Sequence, residues 1–142
     1  YDLYSGIGTI SLFLSKAAKK IIGIETVEDA VQAAKSNSKL NNISNCKFIH
    51  GDVKNIIAKP IKGIKKPDII IVDPPRNGLE KSVIKSIIDL SPYKIIYVSC
   101  NSSTQARDIY ELRDFYKVKI TQAIDMFPQT YHVENVVLLE KI

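Results

Sequence analysis

The sequence predicts an α/β fold built on a doubly wound, mostly parallel sheet, and three features carry that expectation. Short apolar runs rich in β-branched residues alternate with segments of helical spacing along most of the chain. One such run, Asp68 to Asp73, is wholly aliphatic between its two Asp residues, as a central strand buried on both faces would be. The last two strand-like runs follow each other with no helix between them, so they should pair as an antiparallel hairpin.

In order, Tyr1-Asp2-Leu3-Tyr4 ends a first strand, and Ser5-Gly6-Ile7-Gly8-Thr9 is a turn. From Thr9 to about Ala18 the spacing of Ile10, Phe13, Leu14 and Ala17 is helical. Ile21 to Glu25 is a second strand. Val27 to about Asn41 is a helix with Ala30, Ala33, Ala34 and Leu40 on one side. Cys46 to His50 is a third strand, followed by Gly51-Asp52 and a short helical piece. Lys59 to Pro67 is a loop of Lys, Pro and Gly. After the Asp68–Asp73 strand comes the loop Pro74-Pro75-Arg76-Asn77-Gly78, then a helix from Leu79 to Leu90. A fifth strand through Ile95, Ile96 and Val98 stops at Ser99-Cys100-Asn101, and a helix opens at about Thr104 and runs to about Phe115. Val118 to Ala123 and Val133 to Leu139 are strands six and seven.

At 142 residues the chain is one domain with a sizeable core. It opens inside a strand, so a piece of a longer protein is expected. No apolar run approaches the ~20 residues of a membrane span, and no signal peptide is expected. Two cysteines make no disulfide framework, so a cytoplasmic setting is expected. The net charge of +5 permits a polyanionic partner without requiring one. No Cys/His cluster has metal-ligand spacing, so no metal is expected.

Chemistry concentrates where strands meet the following loops, since open α/β sheets place ligands at the carboxyl ends of strands. Gly6-x-Gly8 after the first strand lets backbone approach a ligand, but the third Gly of a nicotinamide-binding fingerprint is replaced by Ser11. Glu25, ending the second strand, is placed to accept two ribose hydroxyls, and Asp52, after the third, to reach an adenine amino group. Together with Asp2 these acids suggest a nucleoside cofactor, although each alone reads equally well as a strand end or helix cap. Asp73-Pro74-Pro75-Arg76 forms a rigid wall after the most hydrophobic strand and lets Asp73 point into a cleft. Cys100 stands where a reactive side chain would be held.

The runs D-L-Y-S-G-I-G-T at 2–9, G-D at 51–52, D-P-P-R at 73–76, S-C-N at 99–101 and M-F-P-Q-T-Y-H-V-E at 126–134, with the acid Glu25, span the chain in order. Together they resemble the S-adenosylmethionine-dependent RNA uracil methyltransferases that form 5-methyluridine. The resemblance implies a Rossmann-like class I methyltransferase domain over residues 1–142, with a seven-stranded sheet. It further implies contacts to S-adenosylmethionine from Tyr4, Gly6, Thr9, Glu25, Asp52 and Asp73, a nucleophile at Cys100 and a general base at Glu134. The substrate implied is a uridine of tRNA or ribosomal RNA, and a monomer is favoured. Members also carry N-terminal portions, often with a small RNA-binding β-barrel, that are absent here. Ser102 stands where the family usually has Pro, and Ser5 where it usually has Cys; every reacting group is retained.

The chemistry needs these groups on its own account. Carbon 5 of uracil is a poor nucleophile until a thiolate adds at carbon 6 and makes an enolate, and a base must then remove the carbon-5 proton so that the thiol leaves. A free thiol with pKa near about 8.5 is mostly protonated at neutral pH, and the helix start near Ser103-Thr104 and Arg107 are candidates for activating Cys100. His132 is placed to orient substrate or Glu134. Cys46 reads as structural, His50 as a surface residue, the Lys59–Lys66 loop as solvated, and the aromatics as too scattered for a stacking platform. Two other readings are a cytosine-carbon-5 methyltransferase, for which Pro74-Pro75-Arg76 lacks the expected Cys, and a non-catalytic nucleotide- or RNA-binding module, which leaves Cys100 and Glu134 unexplained together.

Overall fold

The computed structural model describes residues 1–126 and 128–142; Phe127, within the 126–134 motif, lies outside the described residues. The chain forms two compact units, residues 1–59 and 60–142. Its seven strands, three in the first unit and four in the second, alternate with helices over most of the chain, so the α/β expectation holds.

The first unit holds β1 (Asp2–Leu3), α1 (Thr9–Phe13), β2 (Ile21–Glu25), α2 (Glu28–Leu40), β3 (Cys46–His50) and α3 (Val53–Ile57). Its strands run parallel in the order β3-β2-β1, with Gly23 opposite both Asp2 and Phe48. Every residue of β2 is buried, as expected of a strand covered on both faces. α2 turns Val31, Ala34 and Ser38 inward, and Val31 and Ala34 pack with Phe48. Leu40 was expected on that inner side but is 80% exposed. It lies nine residues past Val31, about half a turn round the axis at 3.6 residues per turn. The helix expected over Thr9–Ala18 also divides, passing into a 3-10 turn over Leu14–Ala17. There the Ser15 hydroxyl donates to the Leu12 carbonyl, and Asn45 Nδ2 donates to the carbonyls of Ser15 and Ala18, drawing the last turn out of the regular ladder.

The second unit holds β4 (Ile69–Val72), α4 (Lys81–Leu90), β5 (Lys94–Ser99), α5 (Ser102–Leu112), β6 (Tyr116–Ile124) and β7 (Glu134–Lys141). The order is β4-β5-β7-β6, with β4 and β5 parallel and β7 antiparallel to both its neighbours, so the expected hairpin is present. Its core gathers Ile70 and Val72, Ile95 and Tyr97, Val137 and Leu139 from the strands, and Val83, Ile84, Ile87 and Leu112 from the helices. α4 begins two residues later than the apolar pattern suggested. Leu79 is buried outside the helix, its N–H given to the Asp108 carboxylate.

Asp108 is the polar hub of this unit. It is 1% exposed and accepts from the Tyr97 hydroxyl (2.6 Å), the Leu79 N–H (2.7 Å) and Nε and Nη2 of Arg107 (2.9 and 2.7 Å). A buried carboxylate persists only when paired and hydrogen-bonded in this way. Gly78 makes room for it: φ there is +77°, and a Cβ would stand 2.5 Å from Asp108 Oδ2.

Candidate active site

The first unit presents the glycine turn. Tyr4, Gly6 and Gly8 all have positive φ, at 65°, 51° and 85°, which for tyrosine is a strained conformation. The turn is tied from below: Ser5 N–H donates to the Ile24 carbonyl and Gly8 N–H to the Ser5 carbonyl. Gly8 is required for space as well as conformation, since a Cβ there would meet Phe48 at 2.8 Å. A Cβ on Gly6, by contrast, would meet nothing within 4 Å, so its backbone borders open space. Thr9 follows as the exposed first residue of α1.

Glu25 holds this turn in shape. Its Oε2 accepts from Gly6 N–H and its Oε1 from Val27 N–H, both at 2.9 Å. Each carboxylate oxygen keeps a lone pair for a further donor. Asp52 caps α3, accepting from Lys54 N–H through Oδ1 and pairing with the Lys54 ammonium at 3.4 Å through Oδ2. Asp2 is different from the acid expected at a strand end. It lies within β1, 1% exposed, accepting from the Ser11 hydroxyl at 2.6 Å, so its partner is the protein. Burial pushes its carboxyl up, against the lowering effect of the Ser11 bond. Its Oδ1 and the Ser5 hydroxyl are buried without hydrogen-bond partners. Cys46 gives its thiol to the Ser11 carbonyl at 3.6 Å, and burial followed by the charge of Asp2 pushes that thiol up, away from reactivity. The exposed His50 ring meets the Thr26 carbonyl at 3.1 Å.

An open space beside Gly6, a carboxylate with spare acceptor capacity in Glu25 and a second acid in Asp52 fit the ribose and base of a nucleoside cofactor. Among the described residues, no group of three or more His, Cys, Asp or Glu stands where it could hold a metal, and no helix is long and apolar enough to cross a membrane.

The second unit carries Cys100 and Glu134, the two side chains expected to react. β5 and β7 run antiparallel from Lys94 opposite Glu140 to Ser99 opposite Asn135. One step beyond that last pair stand Cys100 and Glu134. Both are half-buried. The turn holding Cys100 is fixed on either side. The Ser99 hydroxyl accepts from Asn101 N–H and donates to the Asn101 carbonyl, each at 3.0 Å.

Asn101 does two further things. Its Oδ1 accepts from the N–H groups of Ser103 and Thr104, capping α5. That cap is why the helix starts at Ser102 and not at Thr104. Its Nδ2 donates to the Arg76 carbonyl, which also accepts from the Thr104 hydroxyl, both at 3.1 Å. The Asp73–Arg76 loop is thereby tied to the cysteine turn. Asp73 itself is exposed at the end of β4. Arg107, a candidate for activating Cys100, is instead occupied by Asp108 and the Asn77 carbonyl. The start of α5 is left as the nearby source of positive potential.

The 126–134 segment adds a contact that the sequence did not reveal. Arg76 Nη2 lies 2.9 Å from His132 Nδ1 and 3.4 Å from Nε2. A guanidinium can only donate, so the imidazole is the accepting side of this contact. His132 is thus oriented by the Asp-Pro-Pro-Arg loop, and its other ring contact is to Tyr131, with centroids 4.1 Å apart.

The family model for tRNA (uracil-5-)-methyltransferases matches residues 1–142. An uncharacterized RNA methyltransferase of Bacteroides thetaiotaomicron is 50% identical over 141 residues, covering 99% of this chain and 31% of that protein. Another, from Clostridium acetobutylicum, is 52% identical over 142 residues, covering 99% and 30%. The chain therefore spans about a third of the length of these relatives. Among solved structures, the Pyrococcus abyssi tRNA (uracil-54, C5)-methyltransferase in complex with S-adenosyl-L-homocysteine superposes with a TM-score of 0.85 at 38% identity, covering 97% of this chain and 33% of that one. An rRNA methylase of Streptococcus thermophilus gives a TM-score of 0.76 at 16% identity, over 99% of this chain and 85% of that one, which shows a shared Rossmann-like fold alone. With motifs, fold and family model in agreement over its full length, the chain belongs to the tRNA (uracil-5-)-methyltransferase family.

Proposed function

We propose that this chain is the catalytic domain of an enzyme that moves a methyl group from S-adenosylmethionine to carbon 5 of a uridine in tRNA or ribosomal RNA. The observation that carries the reading is the register of β5 and β7, which sets a thiol and a carboxylate at successive positions past the Ser99–Asn135 pair. In this reading the base opens β7 and the nucleophile sits in the hydrogen-bonded turn that follows β5, so both are carried next to a rigid ladder.

The cofactor would be held on the first unit by Tyr4, Gly6, Thr9, Glu25 and Asp52, with Asp73 of the second unit assigned from its motif. When bound, S-adenosylmethionine supplies an electrophilic methyl on a sulfonium. The chain's own residues do the rest. The Cys100 thiolate attacks carbon 6, forming an S–C bond and driving the electron pair onto carbon 5 and the carbon-4 carbonyl. Carbon 5 is then the nucleophile. Once carbon 5 carries both methyl and hydrogen, the Glu134 carboxylate takes the proton, the carbon 5–carbon 6 double bond re-forms and the S–C bond breaks, returning the thiolate.

The test separates the two roles. Cys100→Ala should abolish methyl transfer while cofactor binding by calorimetry is kept. Glu134→Gln should still add and methylate but stall before elimination, leaving RNA covalently attached as a band that survives denaturing electrophoresis and carries the labelled methyl. A Glu134→Gln enzyme turning over at the wild-type rate would remove Glu134 from the mechanism, and His132 would be the next base to examine.

A further inference from the structure

The Asp-Pro-Pro-Arg loop and the 126–134 segment meet in a short ladder of planar groups: the Arg76 guanidinium, the His132 imidazole and the Tyr131 phenol. The first rung is a hydrogen bond of 2.9 Å, and the second is a ring contact at 4.1 Å between centroids with a 45° tilt. Beyond it the ladder ends in open solvent. Tyr131 is 88% exposed, the most exposed large hydrophobic side chain among the described residues. An aromatic ring with one side propped and the remainder facing water costs free energy unless something covers it.

We propose that the outer face of Tyr131 is a stacking site for an unpaired RNA base that flanks the target uridine. The proposal rests on the RNA-methylating reading above and adds a recognition site to it. Its first support is position. Tyr131 lies three residues before Glu134, so the two α-carbons are at most about 11 Å apart along the chain. A base stacked there would border the one being modified. The second is the demand of the reaction. Cys100 attacks carbon 6 from above the plane of the uracil, which requires the uridine to leave its stack and exposes a face of its neighbour. An aromatic plate that takes this face lowers the cost of holding the RNA open, and sequence-tolerant recognition of single-stranded bases commonly works this way. Charge is the third support. Arg76 is exposed at the foot of the ladder, where its cation suits the phosphates on either side of the displaced nucleotide. Because Arg76 and His132 hold the ring, little of its motion is lost when a base docks.

The test uses the full-length protein and short oligouridylates in which the nucleotide next to a central uridine is 2-aminopurine, whose fluorescence is quenched on stacking. Wild type and Tyr131→Phe should quench it on binding, because the ring and not the hydroxyl is needed. Tyr131→Ala should lose the quench and bind roughly 5- to 150-fold more weakly, the range for loss of one base–aromatic stack. An abasic residue at the same position should weaken wild type and leave Tyr131→Ala unchanged. Equal quenching and affinity in Tyr131→Ala would overturn the assignment. So would a Tyr131→Ala protein that melts earlier yet keeps its RNA affinity, which would give the ring to protein packing. Mass spectrometry for 5-methyluridine in unmodified RNA treated with the wild-type enzyme is read separately. Its absence defeats the functional reading, whereas its presence with an indifferent Tyr131→Ala defeats only the stacking site.

Discussion

At the scale of single residues, Asp108 shows how one buried carboxylate joins distant parts of the second unit. It joins β5 through Tyr97, the chain before α4 through Leu79 and the surface through Arg107. The pair is lopsided: the Arg107 side chain is 54% exposed and that of Asp108 only 1%. Asp108→Ala should therefore cost about 3–5 kcal/mol, the scale for breaking a buried pair from its buried side. Arg107→Ala should cost clearly less, since the carboxylate keeps two donors and solvent screens the lost charge. Urea denaturation of both variants checks this, and equal losses would refute the asymmetry. Residues of this kind were not legible in the sequence. Asp108 reads there as one more polar residue on a helix, because its partners Leu79 and Tyr97 lie 29 and 11 positions away. Cys100, Glu25 and Glu134 were legible because each stands at a strand terminus, where side-chain chemistry and local pattern coincide. The Arg76–His132 contact spans 56 positions and left no periodic trace.

At the scale of elements, every strand was located by its apolar run, while the ends were set by particular hydrogen bonds that no periodicity records. α5 begins where Asn101 caps it, and α4 begins after Leu79 because Asp108 takes that N–H. The hairpin was read from the absence of a helix, but its register, with Ser99 opposite Asn135 as the last pair before Cys100 and Glu134, came only with the structure. Charge helps to hold that register. Burial pushes the Glu140 carboxyl up, yet the bonds and charges of Lys119 and Lys94, each 3.3 Å away on the two flanking strands, outweigh it and hold the group below its usual range. Tyr116, at the start of β6, gives a sharper test. Its buried hydroxyl donates to the Pro92 carbonyl at 3.0 Å, and burial pushes its pKa up to about 12. In the unfolded chain a tyrosine titrates near about 10. The folded value is the higher, so this stabilisation is complete below about pH 10 and is lost as pH rises towards 12. Tyr116→Phe should lower stability by about 1 kcal/mol near neutrality, for the unpaired Pro92 carbonyl, and should flatten the alkaline fall. Denaturant midpoints measured across the alkaline range would expose the error if both proteins decline in parallel.

At the scale of the whole molecule, the question is what this chain does without the remainder of its relatives' length, of which it spans 31%. The proposed nucleophile and base and the turn proposed for the cofactor all lie within residues 1–142. Grip on a folded polyanion is a separate matter. Affinity for nucleic acid is dominated by phosphate contacts and falls steeply with salt in proportion to their number. The net charge of +5 is modest for such a task and is spread over Lys residues from Lys16 to Lys141. Residues 1–142 alone should thus bind S-adenosylmethionine, yet methylate unmodified RNA far more slowly than the full-length enzyme. The deficit should lie mainly in KM for RNA and should narrow at low salt, where few contacts suffice. Tritiated methyl incorporation at two salt concentrations, for the fragment and the full-length enzyme side by side, measures it. Equal turnover by the two at physiological salt would show that the RNA grip resides in this domain, and would shift the search for phosphate contacts onto its own exposed lysines.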